Sequence, residues 1–150
     1  MLPEFLNVDL ELESNQSLEL IAKEFGDKVH ILHNGPLPDV PNLLAVEVYA
    51  GDDQDPDSII NAFCDLIEDL SPKAKAVWKK AAARRFDIGI ESGTSESKRY
   101  KALCLSLSPA TLKRVTALSA EVLITVYAPE IVSAKPVKTP IKKKAKAKKK

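Results

Sequence analysis

Cysteine, histidine and glycine are scarce in this chain, and each scarcity closes off a class of chemistry. Its two cysteines, Cys64 and Cys104, stand far apart in apolar surroundings. They are too few for a disulfide framework and lack the paired spacing of a metal site, so both read as buried free thiols. Neither has the electropositive, exposed setting that activates a thiolate. The only histidines, His30 and His33, are three apart at a strand end. In a regular strand that spacing points them to opposite faces, and no Cys or His nearby completes a zinc set. Gly51, Gly89 and Gly93 are isolated, so there is no glycine-rich phosphate loop. No apolar run approaches the roughly 18–20 residues of a membrane helix. The first residues, Met1 to Phe5, lack the basic and apolar parts of a signal peptide. The expectation is a protein that stays where it is made, in a bacterial cytoplasm, without membrane, metal or cofactor, and without enzymatic activity.

What is present is a core and a lopsided charge distribution. Apolar residues make up 45% of 150, enough for one domain of ordinary size. Residues 1–70 hold 16 acids against 2 bases, residues 71–133 hold 5 against 11, and residues 134–150 hold nine lysines and no acid. The formal net charge of +1 therefore conceals an acidic body and a cationic tail. The composition predicts a folded domain over 1–132. Over 133–150 like-charge repulsion, Pro136 and Pro140 predict a disordered lysine-rich tail.

Periodicity supplies the elements. Phe5, Leu6, Val8, Leu10 and Leu12 alternate with acids as a half-buried strand. Ser14-Asn15 offers a cap for a helix carrying Leu18, Ile21, Ala22 and Phe25, closed by Gly26. Strands follow around Val29–Ile31 and over Leu43–Ala50, separated by a loop from Asn34 to Pro41 too rich in proline for a central strand. Asp55-Pro56 opens a helix with Ile59, Ile60, Phe63, Ile67 and Leu70 inward, and Asp65, Glu68 and Asp69 read as its solvated face. Ser71-Pro72 opens a second helix, with Trp78 on its apolar stripe and Lys79, Lys80, Arg84 and Arg85 along one side and its end. Phe86, Ile88 and Ile90 form a fourth strand, Tyr100 with Cys104–Leu107 a fifth, and Val122–Tyr127 a sixth, with a helix opened by Ser108-Pro109 between the last two. This order predicts an α+β two-layer sandwich with a mixed or antiparallel sheet built from split β-α-β units, ferredoxin-like as first choice. Leu10–Leu32 and Leu105–Val126 echo each other as its two halves.

The run from Leu105 through Ser108-Pro109, Leu112, Val115, Leu118, Ser119 and Val122 to Tyr127 resembles the C-terminal pattern of a bacterial domain-of-unknown-function family. That pattern is a strand ending in Ser-Pro, a short leucine-rich helix, a turn of small residues and a strand ending in Tyr. Some members of that family look like immunity proteins of polymorphic toxin systems, so the resemblance implies a binding role and carries over no catalytic residue. The chain departs from the pattern at Ser119, where the family has a glycine suited to a left-handed turn.

Two charge features are the candidate sites. Asp52, Asp53, Asp55 and Asp57 alternate as in a calcium loop, but counting from Asp53 the glycine and glutamate places of an EF-hand hold Ser58 and Cys64. The four aspartates are therefore read as turn and helix-cap chemistry, with weak cation binding or a docking surface for a basic protein partner as the functional alternatives. In the tail, Lys142, Lys143, Lys144, Lys146, Lys148, Lys149 and Lys150 resemble the Ala-Lys-Pro tails of linker-histone-like proteins. They suit non-specific polyanion contact, self-contact with the acidic half, or no role beyond solubility. The leading expectation is a non-enzymatic protein-binding protein, of immunity or accessory type, with an acidic surface. The alternative is a nucleic-acid- or ribosome-associated protein anchored by the tail.

Overall fold

Alternation in the first strand decides the architecture. In β1 (Glu4–Ser14), Val8, Leu10, Leu12 and Ser14 are buried, while Asn7, Asp9, Glu11 and Glu13 between them keep partial exposure. Period-two patterning gives one face to a core and the other to water. The computed structural model describes residues 1–49, 51, 54–94 and 102–129. After β1 come α1 (Glu19–Phe25), a single 3-10 turn (Gly26–Lys28), β2 (Val29–Leu37), β3 (Val40–Val48), α2 (Pro56–Glu68), α3 (Pro72–Lys80), β4 (Ala83–Glu91), α4 (Pro109–Ala117) and β5 (Glu121–Tyr127).

Among the described residues the five strands form one sheet in the order β2-β3-β1-β4-β5. The first four are antiparallel neighbours, and β5 joins β4 in parallel. α1 carries the chain from β1 to β2 across β3, and α2 with α3 carry it from β3 to β4 across β1. These are the split β-α-β units and the strand order of the expected ferredoxin-like sandwich. α4 then makes a crossover that adds β5 outside β4. The sheet is mixed and the fold is α+β, as the sequence predicts.

The helices cover one face. Leu10, Leu12, Leu44, Val46 and Phe86 from the strands meet Ile21, Phe25, Ile60, Phe63 and Ile67 from the helices, all fully or almost fully buried. Phe63 and Phe86 lie with ring centroids 5.9 Å apart. Each such side chain contributes about 1.5–3 kcal/mol of burial free energy. The cap-then-proline starts form as expected: Asp55, Ser71 and Ser108 accept from the backbone N–H groups of Ser58, Ala74 and Thr111 at 3.0, 3.2 and 3.2 Å. Trp78 is core, with its indole N–H donating to Leu118 O at 3.0 Å. Among the described residues no helix is long and apolar enough to cross a membrane.

The structure corrects the sequence reading in several places. Ser14 is the buried last residue of β1, and α1 starts at Glu19 behind Leu18 without a side-chain cap. β2 and β3 run through the proline-rich stretch because β2 is an edge strand, whose register shifts between Gly35 and Leu37, and Pro41 sits near the start of β3. Proline is tolerated at such positions because no ladder N–H is needed there. Residues 102–107 form no strand: Leu105 and Leu107 pack one-sidedly against the core, and Cys104 is exposed while Cys64 is buried. Tyr100 lies outside the described residues. The echo over 105–126 is thus not a second split unit, since the parallel partner of β5 is β4. Asp65 and Glu68 are not merely solvated: Arg114 of α4 forks across them at 2.6 and 2.8 Å and also reaches Asn61 Oδ1 at 2.9 Å. The basic group of α3 and β4 is split between faces. Arg84 donates to the α3 end carbonyls of Trp78 and Ala81 at 3.0 and 2.8 Å and to Ser119 O at 2.9 Å, whereas Arg85 points to the other side of the sheet.

Candidate functional site on the open sheet face

The face of the sheet turned away from the helices is where ionisable groups gather. Strand register places His30, Glu47, Asp9, Asp87 and Leu123 in one line across β2, β3, β1, β4 and β5. The next line along the strands is His33, Ala45, Glu11, Arg85 and Glu121, followed by Glu13 beside Ala83. Directly opposed residues stand about 5 Å apart at Cβ, where like charges repel. Asp9, Glu11, Glu13, Glu47, Asp87 and Glu121 therefore concentrate negative charge on this face, and among the described residues the register brings one guanidinium, Arg85, among them.

His30 and His33 both belong to this face, contrary to the opposite-face expectation. A register shift between Ile31 and His33 leaves Leu32 as an extra residue, so His30 pairs with Glu47 and His33 with Ala45, two positions apart on β3. That bulge restores the parity that an i, i+3 spacing breaks. The His33 ring Nε2 lies 3.2 Å from Gly35 O.

Two devices hold the carboxylates together. Arg85 donates to Glu13 at 2.8 Å, Glu121 at 2.9 Å and Glu11 at 3.4 Å, and these partners, Glu13 first, hold its pKa above the usual guanidinium range. Asn7 uses both amide hydrogens, one to Asp9 Oδ1 at 2.9 Å and one to Glu47 Oε1. Gly89 makes room for this amide: a Cβ there would lie 2.8 Å from Asn7 Oδ1. Asp87, almost fully buried, accepts from Thr125 Oγ1 at 2.7 Å. The cost of the crowding falls on Asp9. Burial first, then Glu47, Asp87 and Glu11, push its carboxyl up to about 7. Tyr127, at the β5 end of the face, has its phenol pushed up by partial burial and then by Asp87.

An open groove of about 790 Å³ lies at the end of the face where Asn7, Asp9, His30 and Glu47 meet Tyr49, Gln54 and Tyr127. It offers carboxylates and two phenol rings, which suit a guanidinium or ammonium group by charge pairing and cation–π contact. Its lining holds an imidazole and acids but no hydroxyl or thiol nucleophile other than the tyrosines. Among the described residues no three His, Cys, Asp or Glu side chains are placed to hold a metal ion together.

Of the residues singled out from sequence, Asp52, Asp53 and the tail lysines Lys142, Lys143, Lys144, Lys146, Lys148, Lys149 and Lys150 lie outside the described residues. Asp55 is occupied in capping α2, and Asp57 Oδ1 accepts from Ser108 N at 2.7 Å, tying the start of α2 to that of α4. Hydrogen bonds lower the pKa of both, those from Ser58 to Asp55 and those from Thr111 and Ser108 to Asp57. Gln54, next to Asp55 in sequence, lines the groove, and neither Asp55 nor Asp57 does. The sequence pattern marks Asp9, Glu11 and Glu13 as the polar side of a strand, but Glu47, Asp87 and Glu121 join them only through strand order. Comparison with protein-family models, curated proteins and solved structures finds no match.

Proposed function

We propose that the chain is a non-enzymatic protein-binding protein that engages a basic partner through the acidic open face of its sheet. The observation that carries this reading is the in-register alignment of Glu47, Asp9 and Asp87 across three adjacent strands, flanked by Glu11, Glu13 and Glu121. A fold gains nothing from like charges at cross-strand distance, so their concentration is explained by what meets them. Opposite charge on a partner accelerates encounter and excludes acidic competitors. The groove with Tyr49 and Tyr127 at the end of the face provides a seat for one arginine or lysine of that partner. An open groove without a sequestered nucleophile supports recognition better than a reaction. The C-terminal resemblance to a bacterial domain-of-unknown-function family, some members of which look like immunity proteins of toxin systems, belongs to the same reading, because nucleic-acid-cutting toxins are commonly basic. The alternative of non-specific nucleic-acid contact rests on the charge of the tail alone.

The test uses a fluorescent arginine-rich peptide as the cationic probe. Near pH 8, where the Asp9 carboxyl is ionised, charge removal by Asp9→Asn, Glu11→Gln and Glu47→Gln together is expected to weaken binding tenfold or more at about 20 mM salt. The difference should shrink as the Debye length falls to about 8 Å near 0.15 M. Equal affinity of the parent and this triple variant for the probe would rule the face out.

A further inference from the structure

The chain itself contains a ligand of the chemistry this face recognises. We infer that the lysine segment 135–150 occupies the open acidic face in cis, as a tethered competitor that an external basic partner must displace. The inference rests on the reading of the face as a site for cationic segments.

Three observations carry it. The first is charge. Among the described residues the face gathers Asp9, Glu11, Glu13, Glu47, Asp87 and Glu121 around one guanidinium, Arg85, and residues 134–150 of the sequence hold nine lysines without an acid. The second is reach. β5 ends at Tyr127, whose ring lines the groove at the end of the face. A five-stranded sheet is roughly 20–24 Å wide at about 4.8 Å per strand. Lys142 follows Tyr127 by fifteen residues, a span of up to about 50 Å when extended, which exceeds both the sheet width and the roughly 27 Å along the strands from the level of Tyr127 to that of Glu13. The third is spacing. Lys142, Lys144, Lys146, Lys148 and Lys150 recur at every second residue, the same repeat as Asp9, Glu11 and Glu13 on β1. An extended segment with that pattern presents its ammonium groups along one side at the strand repeat of its acidic counterpart.

Tethering converts weak contacts into occupancy. A short linker gives an effective concentration in the millimolar range. If a free lysine segment bound with a dissociation constant of about 0.1 mM, the tethered one would lower the apparent affinity for an outside cation about tenfold. Exposed ion pairs are screened, so this penalty disappears at high salt. The consequence is a threshold: weakly basic proteins fail to displace the tail, and a densely basic surface succeeds.

The experiment compares the full-length chain with a full-length variant in which Lys142, Lys143, Lys144, Lys146, Lys148, Lys149 and Lys150 are changed to Gln. The expected result is about tenfold tighter binding of the arginine-rich peptide by the variant at about 20 mM salt, with the two converging at about 0.5 M. Carbodiimide cross-linking of the parent should join these lysines to Glu11, Glu13 or Glu47 within one chain. Equal peptide affinity of parent and variant, or cross-links only to carboxylates outside the face, overturns the inference and leaves the reading of the face intact. Cross-links between isotopically labelled and unlabelled copies overturn it in favour of a second copy as occupant. Failure of the tail variant to bind the peptide at all overturns the reading of the face as well.

Discussion

The two faces of the sheet are made by the same strands, one residue out of phase, and they obey different physics. On the covered face Val8, Leu10 and Leu12 of β1 meet Leu44 and Val46 of β3 and Phe86 and Ile88 of β4, all nearly inaccessible to water. On the open face Asp9, Glu11 and Glu13 meet Glu47, Arg85 and Asp87. The covered face gains free energy from every contact, whereas the open face spends some by opposing like charges and recovers part of it through Arg85 and Asn7. Register is fixed by the apolar side, which leaves the other side free to carry charge that the fold itself does not require.

The comparison is broken most severely from the covered side. Phe63→Ala should cost about 3–5 kcal/mol in chemical denaturation, because it empties space against Phe86 at the centre of the core. A neutral substitution on the open face should cost far less, and a similar loss for Glu11→Gln would show that the two faces are not energetically distinct. Arg85→Met should destabilise by about 1–2 kcal/mol, since Glu11, Glu13 and Glu121 lose their shared donor in a partly exposed setting. The same variant should bind the cationic peptide more tightly, a gain that no core lesion would produce.

Asp9→Asn sharpens the contrast through pH. The folded-state pKa of Asp9 lies at about 7, above its unfolded value of about 4. The protonated carboxyl therefore contributes stability that is fully present below about pH 4 and lost as pH rises through about 7. Parent and variant should be nearly equal in stability near pH 4, with the variant ahead by about 1–2 kcal/mol near pH 8, after allowance for solvent screening. A gap that does not change with pH would remove Asp9 from this role. The smallest effect is expected away from both faces. Ser119 has φ of 52°, the only positive value at a non-glycine position among the described residues. It closes α4 with the paired bonds from Ser119 N to Thr116 O at 2.9 Å and from Ala120 N to Val115 O at 3.1 Å. Ser119→Gly should therefore raise stability by up to about 1 kcal/mol, measurable as a higher melting temperature.

Local signals were the legible ones. The pairs Asp55-Pro56, Ser71-Pro72 and Ser108-Pro109 marked helix starts because a cap and a proline act within one turn, and Val8, Leu10 and Leu12 announced a half-buried strand. Leu103, Leu105 and Leu107 alternate as a strand would, yet alternation cannot tell a ladder from an extended segment laid against a core. The charge imbalance pointed to an acidic surface, but its place could not be read. Glu47 and Asp87 are 40 residues apart in sequence and become neighbours of Asp9 only when β1 is inserted between β3 and β4. The shared face of His30 and His33 depends on a bulge, which no residue pattern in that stretch announces.

That bulge also bears on how the molecule borders its surroundings. β2 is the outermost strand on its side, and the surplus residue at Leu32 together with the irregularity around Pro36 denies an incoming chain a continuous row of donors and acceptors. The residue that aligns two imidazoles with the acids thus makes this border a poor template for strand addition. It guards the histidine side of the molecule against edge-to-edge aggregation.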